Sequence, residues 1–357
     1  MVEHNSSVRG TTGGDEGSGN VPGAALFEAG TVVLQSGETL PETRLVYTTH
    51  GTLNARRDNA IIFPTCYAGR HGDNDWLIGS GKALDTDAYF VVVPDMLGNG
   101  LSSSPSNTPP PHDRMRFPRV TILDNVLLQH RLLRETFGVE HLRLAVGFSM
   151  GAQQVYQWAV SFPSMVERAV AICGTATCSA HNWVFLEGVT AALRADAAWH
   201  HGDYDAPPTI GLRALARVWA GWGLSQSFYR ARHYEALGYS TVEDFLLQEW
   251  ETSFLDWDAN DLLAMAWTWQ HADVGTTPEA GGNTARALGL IEARTLVMPS
   301  RTDLYFPPED HEIDAERIRG AQLRVIPSVA GHQAGGGGGL PGDAEFVATA
   351  VAEWLAR

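Results

Sequence analysis

The chain has 357 residues, 44% of them hydrophobic, which is enough for one large α/β domain plus an inserted subdomain. Lys and Arg number 25 against 41 Asp and Glu, a formal charge of −16; so acidic a surface repels phosphate backbones and anionic lipid, and argues against nucleic-acid or membrane partners. No internal run is long and apolar enough to span a bilayer, the N-terminus lacks the apolar core of a secretory signal, and Cys66, Cys173 and Cys178 lack paired spacing, so the expectation is a cytoplasmic protein with reduced thiols.

Residues 1–20, rich in Gly, Ser and Thr, read as a disordered tail. Short β-rich runs then recur at 31–35, 44–49, 60–64, 89–94, 142–146, 168–173, 294–298 and 323–326. From the third onward most are bare hydrophobic runs, as parallel strands covered on both faces require. Helical patterns fall between them. Residues 120–137 place Ile122, Leu123, Val126, Leu127, Leu132 and Leu133 on one broad face, and 343–356 form another amphipathic helix. Strands alternating with helices imply a doubly wound, mostly parallel eight-stranded sheet with right-handed crossovers. Residues 179–290 break the rhythm. They show helical segments and many tryptophans (Trp183, Trp199, Trp219, Trp222, Trp250, Trp257, Trp267 and Trp269) but no buried strand. A helical insertion at this point is most simply a cap over a site, with most of its aromatics forming its own core. The expected organisation is a tail at 1–20, a core at 21–178 and 291–357, and a cap at 179–290. Pro109 to Pro111 and Gly335 to Gly339 are the remaining low-complexity segments.

One junction carries the chemistry. Gly147-Phe148-Ser149-Met150-Gly151 joins the run at 141–146 to a helical pattern at 152–160. A glycine on each side of a serine permits the tight strand-to-helix turn of a nucleophile elbow, which lifts the hydroxyl above the sheet and aims a helix N-terminus at it. A serine hydroxyl needs an adjacent base, and the base needs an orienting carboxylate. With the order Ser, acid, His, the acid belongs after a late strand and the His after the last one. Asp303 follows the run at 294–298 and His332 follows 323–326, so both meet their positional demand. A turn or helix-cap role is the bland alternative for Asp303, with Asp310 and Asp314 nearby, and His332 competes with twelve other histidines. The pair His200-His201 lacks companions at ligand spacing, so neither metal nor cofactor is expected. The backbone N–H groups of Met150 and of Tyr67, in the loop after the third strand, are the candidate oxyanion donors. Tyr67 could instead simply pack under the cap, and Cys66 beside it is expected to be a core thiol.

These residues resemble the homoserine O-acetyltransferase-like branch of the α/β-hydrolase superfamily. The resemblance is carried by Phe117-Pro118-Arg119-Val120-Thr121-Ile122, by the elbow, by Thr302-Asp303-Leu304-Tyr305-Phe306-Pro307-Pro308 and by Gly331-His332, and extends from about residue 31 to the end. It implies an α/β-hydrolase fold with a helical cap, a homodimer built through the caps, and a ping-pong mechanism through an acyl-serine. Two departures bear on substrate. Where homoserine acetyltransferases carry an arginine for the substrate carboxylate, Asn182-Trp183-Val184-Phe185-Leu186 ends in leucine. Where they carry an aspartate after the catalytic His, this chain has Gln333. A zwitterionic amino acid would lose both charge partners at Leu186 and Gln333, at a cost of several kcal/mol. Residues 63–67 and 217–226 look more similar to the small-ester hydrolases of this family.

Three functions follow. The first is a serine hydrolase cleaving a small carboxylic ester, an acetyl ester foremost, with Ser149, His332 and Asp303 as nucleophile, base and orienter. The second is an O-acyltransferase from acyl-CoA to an alcohol other than homoserine. The third is a non-hydrolytic biosynthetic catalyst or a binding protein on the same fold. The expected partner is a small-molecule ester or acyl donor.

Overall fold

The computed structural model describes residues 23–357; the expected tail at 1–20 lies outside the described residues. Eight strands form one sheet in the order β1-β2-β4-β3-β5-β6-β7-β8. They are β1 (Ala25–Val33), β2 (Thr39–His50), β3 (Ala60–Ile62), β4 (Phe90–Pro94), β5 (Leu144–Phe148), β6 (Arg168–Ile172), β7 (Arg294–Met298) and β8 (Gln322–Leu323). β2 runs antiparallel to β1 and to β4, and every pairing from β3 to β8 is parallel.

Every residue of β3, β4 and β6 is buried. Alternate residues of one strand enter different cores, as the two-residue period demands. Ile61, Val91, Val93 and Val146 join one core, and Ile62, Val92 and Ala145 the other. The first of these cores runs on into the helical insertion through Phe185, Trp219, Trp250 and Trp269.

The helices are α1 (Ile122–Phe137), α2 (Met150–Ser161), α3 (Ala180–Arg194), α4 (Thr209–Gly223), α5 (Gln226–Arg230), α6 (His233–Ala236), α7 (Val242–Phe245), α8 (Thr252–Leu255), α9 (Ala259–Gln270), α10 (Thr284–Gly289), α11 (Pro308–Arg317) and α12 (Asp343–Ala356). α1 starts on a capping box, in which the Thr121 hydroxyl accepts from Asp124 N–H and the Asp124 carboxylate accepts from Thr121 N–H. It ends where Gly138 takes the left-handed conformation. α2 stops at Phe162, the residue before Pro163, where helical backbone is disfavoured. The segment between β6 and β7 contains α3 to α10 and no named strand among the described residues. No helix among them is long and apolar enough to cross a membrane.

Several strand bounds shift: the second strand runs Thr39–His50 rather than 44–49, and the third ends at Ile62 rather than 64. The first strand begins at Ala25 rather than 31, and the last ends at Leu323 rather than 326. The chain nonetheless stays beside β7 after β8: Arg324 N–H donates to Val297 O, Ile326 N–H to Pro299 O, and Ile326 bridges Ser300.

Candidate active site

β5 and α2 meet at Ser149. Its backbone adopts φ 57° and ψ −124°, a strained combination for a residue with a side chain. Three contacts enforce it. Ser149 N–H donates to Ile172 O of β6 at 2.9 Å. A Cβ on Gly147 would stand 2.2 Å from Gly151 O, and one on Gly151 would stand 2.8 Å from Pro64 O. Only glycine therefore lets strand, turn and helix close this tightly. Ser149 sits at the N-terminal cap of the 12-residue α2, where the helix dipole favours developing negative charge.

The loops after β7 and β8 come to the same end of the sheet. Asp303 is buried, and one carboxylate oxygen accepts the N–H groups of Tyr305 at 2.8 Å and Phe306 at 3.1 Å. Its other oxygen faces His332 Nδ1 at 2.7 Å. A carboxylate can only accept, so Nδ1 carries a proton and Nε2 is the ring nitrogen that Asp303 leaves unengaged. The His332 ring lies 4.6 Å from that of Phe148, the residue before the serine, and 4.6 Å from that of Tyr305. Asp314, the rival acid, instead accepts Ala176 N–H at 2.8 Å. The histidine loop is anchored on two sides. Thr302 Oγ1 accepts Gly331 N–H at 3.1 Å, and cap residue Ser225 donates its hydroxyl to Val329 O at 2.6 Å. Gly331 also lies so near the end of α4 that a Cβ there would stand 2.9 Å from Gly223 O.

Met150 opens α2, and Tyr67 lies in the loop after β3; neither N–H donates to a backbone or side-chain acceptor among the described residues. Both are thus free to serve an oxyanion. The Tyr67 ring stacks on Trp219 of α4 at 4.6 Å, so Tyr67 packs under the cap as well. Burial pushes the Cys66 thiol up to about 12, which keeps it protonated and a poor nucleophile beside Ser149.

The roof over this site is aromatic. Phe185, Trp219, Trp269, Tyr305 and Phe306 contact one another, Tyr67 and His332. The rings in contact with Tyr67 and His332 are all uncharged. Leu186 is fully buried in this cluster. Gln333 is partly buried, and its side-chain oxygen turns toward Gly338. His200 and His201 are exposed at a kink, and no cluster of three or more metal-ligating side chains occurs among the described residues.

Sequence reasoning passed over several residues that shape the site. Asn182 is fully buried on α3 and donates to Tyr305 O at 2.9 Å, fixing the strand-end loop that presents Asp303. A polar residue just inside a cap helix was its only signal. Phe148 was visible as the second residue of the elbow, but nothing in the sequence reveals that its ring supports His332. Asp95, Asn99 and Gln154 around the Tyr67 loop left no pattern, because their partners come from distant segments.

Comparison with known proteins agrees with this fold. Residues 59–198 match the family model described as the alpha/beta hydrolase fold. A probable esterase of Corynebacterium glutamicum is 40% identical over 85% of this chain and 87% of its own length. The ethyl acetate hydrolase of Pseudomonas veronii is 41% identical over 86% and 88%. The solved acetyl esterase MekB superposes with a TM-score of 0.91 at 38% identity, covering 94% of this chain and 97% of that one. Homoserine O-acetyltransferases are more distant, that of Thermobifida fusca at 32% identity over 84% of this chain and 86% of its own length. The chain is therefore an α/β hydrolase of the homoserine O-acetyltransferase-like family, on the side of that family where its esterases stand.

Proposed function

We propose that the chain hydrolyses small carboxylic esters, acetyl esters foremost, through an acyl-serine. Ser149 Oγ attacks the ester carbonyl while His332 Nε2 takes its proton. Asp303 holds the imidazole in the correct tautomer and stabilises the imidazolium. The N–H groups of Met150 and Tyr67 receive the oxyanion. The C–O bond to the alcohol breaks as His332 returns the proton to the leaving oxygen. Water, deprotonated by the same imidazole, then attacks the acyl-serine, and collapse of the second tetrahedral intermediate releases the carboxylic acid and free Ser149. The observation that carries this reading is the 2.7 Å Asp303–His332 pair beside a strained elbow serine.

Ser149 and His332 are each 4% exposed and Trp219 6%, so the nucleophile is enclosed beneath the aromatic roof, which supports a compact acyl group. The uncharged rings around it offer no ion-pair partner to a substrate carboxylate. Leu186 and Gln333 extend that argument to homoserine. Two of the similar esterases are named for ethyl acetate and for acetyl esters, which supports the same substrate class.

Turnover of p-nitrophenyl acetate and ethyl acetate, with an acetyl adduct located on Ser149 by intact mass and peptide mapping, is the direct test. Acetyl-CoA consumption that appears only when an acceptor alcohol is added would overturn it in favour of acyl transfer.

A further inference from the structure

We infer that His71 and Asp95 form a second carboxylate–imidazole pair whose task is to position the loop that carries the Tyr67 N–H. The inference rests on the acyl-serine reading above, in which that N–H receives the oxyanion.

The loop is held at both ends by buried side chains. At its start, Thr65 Oγ1 accepts Met96 N–H at 3.0 Å, and Thr65 O accepts the Gln154 side-chain amide at 2.9 Å. Gln154 is itself fixed by Gln129 at 2.6 Å, and Gln129 by the Trp158 indole at 2.8 Å. At its end, Gly69 O accepts from Asn99 Nδ2 at 3.2 Å. The same amide nitrogen donates to Asp95 Oδ1 at 2.9 Å, and so does His71 N–H at 2.9 Å. His71 Nδ1 closes the set on Asp95 Oδ2 at 2.6 Å. Asp95 thus grips both the residue that follows the loop and the side chain that holds Gly69. Only Cys66, Tyr67 and Ala68 lie between the two anchors, and Ala68 turns the chain with φ 50°.

Asp95 and Asn99 are fully buried, and the His71 side chain is 12% exposed. A buried carboxylate needs hydrogen bonds. Asn99 Nδ2, the His71 backbone N–H and the His71 ring supply three. The bond to Asp95 holds the His71 pKa above the ordinary imidazole value, against the opposing effect of burial. Asp73 and Asp75, from the helical turn that His71 begins, add to the same effect. His71 touches none of the reacting atoms and is a positioning residue. Its leverage comes from the geometry an oxyanion donor needs, since such donors act only when preorganised to a few tenths of an ångström.

His71→Ala removes the side-chain donor, whereas in His71→Asn the amide nitrogen can stand where Nδ1 stood. With p-nitrophenyl acetate, His71→Ala is expected to lower kcat about 10- to 100-fold with KM within about twofold, because a mis-aimed oxyanion donor is felt in the transition state. Affinity for a trifluoromethyl ketone should weaken by the same factor, and His71→Asn should recover most of both. If His71→Ala folds poorly, Asn99→Ser, which withdraws the amide from Gly69 O, should show the same kcat-only loss. Wild-type kcat in His71→Ala and Asn99→Ser, or a His71→Asn variant as impaired as His71→Ala, would overturn the inference. Failure of the acyl-serine reading would look different: the native enzyme would form no adduct at Ser149.

Discussion

Ser149 stores backbone strain that the surrounding contacts over-determine, on the order of 1–3 kcal/mol for such a conformation. Because hydroxyl, imidazole and carboxylate act as a unit, Ser149→Ala should lower kcat for p-nitrophenyl acetate by about four orders of magnitude or more while the melting temperature holds or rises. Asp303→Asn should cost about 10⁴ in kcat, since an amide in place of Oδ2 can donate to Nδ1 and favour the wrong imidazole tautomer. Circular-dichroism melting alongside steady-state assays separates the two effects. Gly151→Ala should instead unfold the elbow, because its methyl would press on Pro64 O; loss of soluble protein or a melting point many degrees lower is the expected result. Iodoacetamide at neutral pH should leave activity intact, because burial keeps the Cys66 thiol protonated. The elbow serine and the Asp303–His332 pair could be read from the sequence because each residue follows a strand of one parallel sheet, and parallel strands deliver their following loops to a common edge. His71, Asp95 and Gln154 could not, since their pairing depends on loops that only the folded chain brings together.

At the scale of elements, the strands that were legible are those buried on both faces, which appear as bare aliphatic runs. β1 was misplaced because it alternates exposed and buried residues and carries register shifts on both sides of Gly30. β8 was over-extended because the chain keeps isolated contacts with β7 after the ladder ends. The join between insertion and sheet domain contains a titrating contact. Asp261 of α9 is 1% exposed and accepts the N–H of Ser106 at 3.0 Å and its hydroxyl at 2.6 Å. Burial, reinforced by nearby Asp258, pushes its pKa up to about 8, against the bonds from Ser106 and the charge of Arg70. The folded state therefore binds a proton more tightly at Asp261 than the unfolded chain does. The sign follows from linkage: this contribution is full below about pH 4 and is lost as pH rises toward about 8. Asp261→Asn should thus gain stability relative to the parent across that window, and denaturant titrations at pH 5 and pH 8 should show the difference growing with pH. An unchanged difference would mean that Asp261 does not titrate there.

Across the whole molecule, the sheet domain carries the groups of the proposed reaction and the insertion packs its rings over them. Shortening the ring that stacks on Tyr67, by Trp219→Leu, should raise the hexanoate-to-acetate ratio of kcat/KM about tenfold or more, the scale on which apolar pockets discriminate small changes in chain length. Steady-state assays on a p-nitrophenyl ester series measure it. The family resemblance implies pairing of two chains through their caps, and Trp183, Val184 and Ile210 are exposed apolar residues of the insertion. Sedimentation velocity should then find a particle of twice the monomer mass, and Ile210→Asp should halve it. That the insertion is helical was legible from its helical segments and its lack of a buried strand; which of its tryptophans pack on the Tyr67 loop was not, because ring contacts such as Trp219 on Tyr67 join segments far apart in the chain.

The hydroxyl of Ser225 gripping Val329 O, with Gly331 pressed against the end of α4, has a mechanical consequence. Swinging the lid away as a rigid plate would drag the proton carrier off its seat. On the proposed mechanism, a substrate that slips in past individual side chains leaves the base seated, whereas a wide-open ceiling does not.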